Sequence, residues 1–123
     1  MKFRESISLL KKDRVRNVYS RWRYFYDPIL MEIAFFRMSC GTPFLVRIPS
    51  RLALKLLSYI LGIQLTPGTK LGGGIKIVHH GTIVITKGAV IGNNLTIHQC
   101  VTIGKNFGGT KYGYPTIGDN VII

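Results

Sequence analysis

The 123-residue chain carries 17 basic against five acidic residues, a formal net charge of +12, and is 46% hydrophobic. That apolar share excludes a disordered tail, and the length suits one domain able to bury roughly two thirds of its unfolded surface. The sequence has no run of 18 apolar residues and its first six residues lack a secretory core, so neither a membrane span nor an export signal is read. Cys40 and Cys100 then point to thiols in a reducing cytoplasm rather than to a disulfide scaffold.

Composition changes near Gly62. Thirteen of the 14 glycines lie at or beyond it, and ten of the 13 aromatic residues lie before it. The expected division is a basic α-helical region over residues 1–62 and a β region over 63–123. In the first part Ile7, Leu10, Val15, Val18, Trp22 and Phe25 recur at helical spacing, which predicts one apolar helix face. Asp27-Pro28 reads as an N-cap with a first-turn proline, opening a helix that Gly41 and Pro43 stop. Pro49-Ser50 opens a third helix over residues 52–61, closed by Gly62.

The second part has a different grammar. Leu65, Leu71 and Ile77 recur every six positions, and after a two-residue slip Ile85, Ile91, Ile97 and Ile103 continue the series, which resumes at Ile117. A period of six suits neither a helix nor an alternating strand. It suits a parallel β-helix of three short faces, whose stacked coils bury a column of aliphatic side chains. About three coils are present. The longer interval from Ile103 to Ile117 predicts a protruding loop over roughly residues 109–116.

Several apparent sites fail on spacing. Gly72-Gly73-Gly74 lacks the fingerprint of a dinucleotide site, and Gly108-Gly109-Thr110-Lys111 lacks the hydroxyl residue of a P-loop. The register of the hexads stacks His79 under Gln99 and His80 under Cys100. Even so, His80, His98 and Cys100 lack the spacing of a zinc site, so no metal is expected.

The stretches Leu71-Gly-Gly-Gly-Ile-Lys-Ile-Val-His-His-Gly-Thr-Ile-Val-Ile85, Ala89-Val-Ile-Gly-Asn-Asn-Leu95, Val101-Thr-Ile-Gly104 and Pro115-Thr-Ile-Gly-Asp-Asn-Val121 resemble the serine acetyltransferase family of hexapeptide-repeat acyltransferases. The resemblance covers about residues 63–123. It implies a left-handed parallel β-helix preceded by helices, a homotrimer, and acetyl-CoA as co-substrate. The left hand comes from the resemblance alone, since general crossover rules give the right hand. The family's catalytic histidine falls on His79, and imidazole is suited to taking a hydroxyl proton near neutral pH. His80 is its neighbour, expected to point the other way along a strand.

Coenzyme A contacts are expected from Gly104, Lys105 and Asn106, a solvated charge being the other reading of Lys105, and acceptor contacts from Gln64, His80 and Tyr114. The departures bear on the acceptor. Gln64 and Val78 stand where the family has acids, and Gly113-Tyr114 replaces its Arg-His pair. Serine is a zwitterion whose charges would go unpaired there. The motifs thus resemble more closely the colanic acid type of exopolysaccharide O-acetyltransferase, and a sugar hydroxyl is the expected acceptor. The alternatives are L-serine, or an inactive trimeric scaffold. The family continues with more coils, so the chain reads as truncated at its C-terminus. Residues 1–24 carry eight basic residues against Glu5 and Asp13, with Trp22, Tyr24 and Tyr26 among them. A solvated helix face is one reading of this segment, and attraction to the inner face of an anionic membrane is the sharper one. No nucleic-acid motif accompanies the charge.

Overall fold

The structure is a computed structural model that describes residues 3–17 and 21–123. Helix α1 runs Phe3–Asn17, a short 3-10 turn Arg21–Phe25, α2 Pro28–Ser39 and α3 Phe44–Leu61. Eight strands of two or three residues follow: β1 Ile63–Leu65, β2 Lys70–Leu71, β3 Lys76–Ile77, β4 Ile83–Ile85, β5 Val90–Ile91, β6 Thr96–Ile97, β7 Thr102–Ile103 and β8 Thr116–Ile117.

The strands form three parallel sheets, β1-β4-β7, β2-β5-β8 and β3-β6, so each sheet is one face of a three-sided coil. Their inward residues build the core: Leu65, Leu71, Ile77, Ile85, Ile91, Ile97 and Ile103 are buried, and Ile117 in the last coil is half-buried. The hexad reading is borne out. One corner explains a recurrent residue choice. Gly74, Asn94 and Asn120 succeed one another there with φ of 81°, 59° and 58°. Glycine and asparagine are the residues that tolerate this left-handed conformation, and Asn94 Nδ2 donates to Asn120 Oδ1 at 3.0 Å.

The helices depart from expectation in three ways. The first segment is not one helix, because a 3-10 turn replaces the predicted continuation through Trp22 and Phe25. Its apolar positions face outward, with Val15 83% and Trp22 69% exposed, while Ser6 and Asp13 are buried; Val18 lies outside the described residues. The reason is polar docking. Asp13 and Arg37 of α2 form a fully buried ion pair at 2.7 Å. Arg37 also donates to the carbonyls of Leu71 and Gly72 at 2.7 and 2.6 Å. Asp13 Oδ1 accepts from the amides of Gly74 and Ile75 at 2.7 and 3.0 Å. Arg16 adds bonds to the carbonyls of Gly74 and Leu95, so part of the basic charge of α1 faces the β-helix rather than solvent. Finally, α3 begins at Phe44, after Pro43 at the N-cap position, and passes through Pro49 instead of opening there, with Ser50 Oγ donating to Val46 O at 2.7 Å. Its closure at Gly62, φ 68°, is as predicted.

Between α2 and α3 lies a buried acid, Glu32. Ser58 Oγ donates to its Oε1 at 3.1 Å, while Oε2 has no partner among the described residues. Burial pushes this carboxyl up to about 7, against the lowering effect of the Ser58 bond. The unfolded chain releases this proton near 4.5. Between these values the folded state holds more protons than the unfolded one, so stability falls as pH rises through the window and levels off above it. Glu32→Gln is expected to flatten that fall in a series of melting temperatures. Parallel curves for the two proteins would contradict the assignment.

Candidate active site

The ladders locate the two-residue slip. Lys76 pairs with Thr96 and Ile77 with Ile97, a step of 20 residues. Val84 pairs with Thr102 and Ile85 with Ile103, a step of 18. The change falls in the corner between β3 and β4. Val78 N–H still donates to Ile97 O at 3.0 Å, and Cys100 N–H donates to Gly81 O at 3.4 Å. Gly81 therefore lies beside Gln99, and the two residues left without a partner in the next coil are His79 and His80. This corrects the expected stacking of the histidines under Gln99 and Cys100. It also corrects the strand argument, since both histidines belong to an excursion beyond β3 and both are exposed. A ring on such an excursion is held out from the coil, reachable by a substrate along either neighbouring face.

The second excursion follows β7. Val90 pairs with Thr116 and Ile91 with Ile117, a step of 26. The extra length is a closed loop whose stem is Asn106 paired to Gly113, with reciprocal bonds of 2.7 and 3.0 Å. The loop thus covers residues 106–113, earlier than the predicted 109–116, and Thr116 belongs to β8. The coil resumes once the stem closes, which hexad counting alone does not register. Asn106 serves the loop itself: its Nδ2 donates to Lys111 O at 2.8 Å and its Oδ1 accepts from Gly108 N at 3.2 Å. Lys105 sits in a cage of rings, its ammonium 5.1, 4.6 and 5.6 Å from the centroids of Phe107, Tyr112 and Tyr114. The Tyr114 ring lies over Gly88 so closely that a Cβ there would overlap it.

Within this chain the expected site residues divide between two edges of the prism. His79 and His80 occupy the edge between β3 and β4. Gly104, Lys105, Asn106 and Tyr114 occupy the edge beyond β7. Gln64, exposed on β1 and paired with Val84, stands on the face that joins the two edges. No group of His, Cys, Asp and Glu suited to a metal exists among the described residues. Sequence reasoning missed a third feature, the groove of about 640 Å³ between α3 and that face, which Arg51, Lys55, Lys87 and Gln64 line. The i, i+4 spacing of Arg51 and Lys55 was its available signal.

A three-sided parallel coil of hexads, with a histidine excursion at one edge and a protruding loop at another, defines the hexapeptide-repeat class. The comparisons with known proteins narrow it. The chain is 35% identical over 83 residues to a serine acetyltransferase from Synechocystis sp., covering 68% of this chain and 32% of that protein. It is 37% identical over 76 residues to one from Staphylococcus epidermidis, covering 62% and 36%. Among solved structures, soybean serine acetyltransferase complexed with serine shares 25% identity at a TM-score of 0.66, covering 95% of this chain and 50% of that one. Serine acetyltransferase isoform 3 from Entamoeba histolytica, in complex with cysteine, has a TM-score of 0.69 at 24% identity, covering 98% and 46%. No family model matches. The chain is a serine acetyltransferase-like hexapeptide-repeat protein with a left-handed parallel β-helix, and it spans about a third of the length of the curated relatives it matches. Closeness to the colanic acid type is not among these findings.

Proposed function

We propose that the protein is an acetyl-CoA-dependent O-acetyltransferase of the serine acetyltransferase type, acting in the cytoplasm as a homotrimer. The observation that carries this reading is the outward excursion of His79-His80 at one corner of the hexad coil. His79 takes the proton of the acceptor hydroxyl as its oxygen attacks the thioester carbonyl. The tetrahedral intermediate then collapses, the carbon–sulfur bond breaks, and the imidazolium returns the proton to the leaving thiolate. Gly104, Lys105 and Asn106 contribute to holding coenzyme A. The separation of the histidine edge from the loop edge within one chain supports the trimer, in which the loop of one copy meets the histidines of another.

The names of the relatives, and the serine bound in the soybean structure, support L-serine as the acceptor over the sugar hydroxyl expected from sequence. The second reading, a sugar hydroxyl, keeps one observation in its favour. Gln64, Val78 and Tyr114 offer no charge to a zwitterion, and a polar group buried without a partner loses affinity. Contact with an anionic membrane face is supported by the exposed Trp22, Phe25 and Tyr26 beside basic residues, while Tyr24 falls among side chains that are not described. Among the described residues no helix is long and apolar enough to cross a membrane.

The test is acetyl transfer from acetyl-CoA to L-serine and, in parallel, to a capsule-type oligosaccharide, read as the mass of the product. O-acetylserine formed faster is the expected result. Faster acetylation of the oligosaccharide would put the second acceptor first, and an unmodified acceptor in both reactions would refute the activity.

A further inference from the structure

The groove between α3 and the β1-β4-β7 face lies on the surface that joins the histidine edge to the loop edge, and its lining is chemically one-sided. Arg51, Lys55 and Lys87 supply three cations, and no acidic side chain lines it. Neither the Arg23–Asp27 nor the Arg37–Asp13 ion pair involves any of the three. The acid behind the wall, Glu32, is not part of the lining and is turned to Ser58, with its carboxyl pushed up to about 7 by burial. Three cationic residues thus share one concavity whose lining holds no acid.

The remaining lining mixes aliphatic residues, Leu54, Leu65, Pro67 and Val84, with one ring and several polar side chains. The Tyr59 ring is 78% exposed at the rim, offering an apolar face to the C–H side of a sugar, while Gln64 and Thr66 supply hydrogen-bonding groups. A volume of about 640 Å³ is within the range of pockets that take ligands well beyond the size of an amino acid. The face that the groove overlies, β1-β4-β7, is the one that starts at the corner carrying His79.

We propose that this groove binds a carbohydrate bearing an anionic group, carboxylate or phosphate, with Arg51, Lys55 and Lys87 as the anion's partners and Tyr59 as the stacking surface. The inference concerns binding alone and does not rest on the acetyltransferase reading or on which acceptor that reaction uses. Guanidinium and ammonium donors facing an anion make the stronger, charge-assisted kind of hydrogen bond. A neutral sugar of the same size would leave three cations crowded without a partner.

The experiment reads binding alone, so its failure leaves acetylation of serine untouched. The protein is titrated by calorimetry with a glucuronic acid-containing tetrasaccharide, with the neutral tetramer of N-acetylglucosamine, and with inorganic phosphate. Arg51→Gln/Lys55→Gln is compared with Lys76→Gln/Lys111→Gln, which removes the same charge outside the groove; unchanged melting curves verify the fold. The acidic tetrasaccharide is expected to bind and the neutral one not, with affinity falling at least about tenfold in the groove variant and little in the control. Displacement of the tetrasaccharide by phosphate assigns the site to a phosphorylated sugar, and no displacement assigns it to a uronic acid; both outcomes support the proposal. Equal binding of the neutral tetramer, equal losses in the two variants, or no binding of either anion would overturn it.

Discussion

His79→Ala is expected to lower kcat for acetyl transfer by ~10²–10⁴-fold, the usual contribution of a positioned general base. The affinity for acetyl-CoA should change little, because the thioester is held by other groups, and a fall in kcat at constant KM is the mark of an interaction made only in the transition state. His80→Ala is the comparison. Both rings are exposed on the same excursion, so no strand alternation separates them and geometry alone treats them as neighbours. The register match with the family selects His79, and one transfer needs one base, so His80→Ala should cost far less. Equal losses for the two variants would show that the pair acts jointly. A loss confined to His80→Ala would transfer the role to it.

The largest stability effect is expected at Asp13. Its carboxylate and the Arg37 guanidinium have no solvent exposure, and together they satisfy two amides and two carbonyls of the first coil. Breaking such a pair from one side leaves an uncompensated buried charge and costs about 3–5 kcal/mol. Asp13→Asn keeps the shape and removes the charge, so the melting temperature should drop on the order of 10 °C. Replacing both partners, Asp13→Asn with Arg37→Met, should recover part of the loss, since no charge then stays buried. A double variant that is the sum of two large single losses would mean that the pair is not the unit. The pair also ties helices to coil. The basic helical region and the β-helix are thus proposed to melt together, in a single transition.

The hexads were legible because a period of six is imposed directly by the coil, as Leu71, Ile91 and Ile97 show. The excursions were legible only as lengths. Two extra residues in one interval and eight in another come out of counting, but which residues leave the coil depends on where the ladder resumes, and that is a matter of hydrogen bonds. Hence counting stacks the histidines in the wrong register and sets the loop three residues late. The first helix misled for another reason. Ile7 and Val15 have helical spacing, yet the face that docks is the polar one, because the corner of the coil offers amides and carbonyls that Asp13, Arg16 and Arg37 satisfy. Periodicity reports apolar faces and is silent about a polar dock. The groove escaped notice because its cations come from α3 and from Lys87, distant in sequence and brought together only by the fold.

The most direct test of acetyl transfer from this fold is the fate of the acetyl group. Purified protein is supplied with acetyl-CoA and a hydroxyl acceptor, and free coenzyme A thiol and acetylated acceptor are quantified together, with His79→Ala in parallel. One acetylated acceptor for each thiol released, in the wild type and nearly abolished in the variant, is the expected result. Thiol release without acetylated acceptor, or transfer that persists undiminished in His79→Ala, would contradict it.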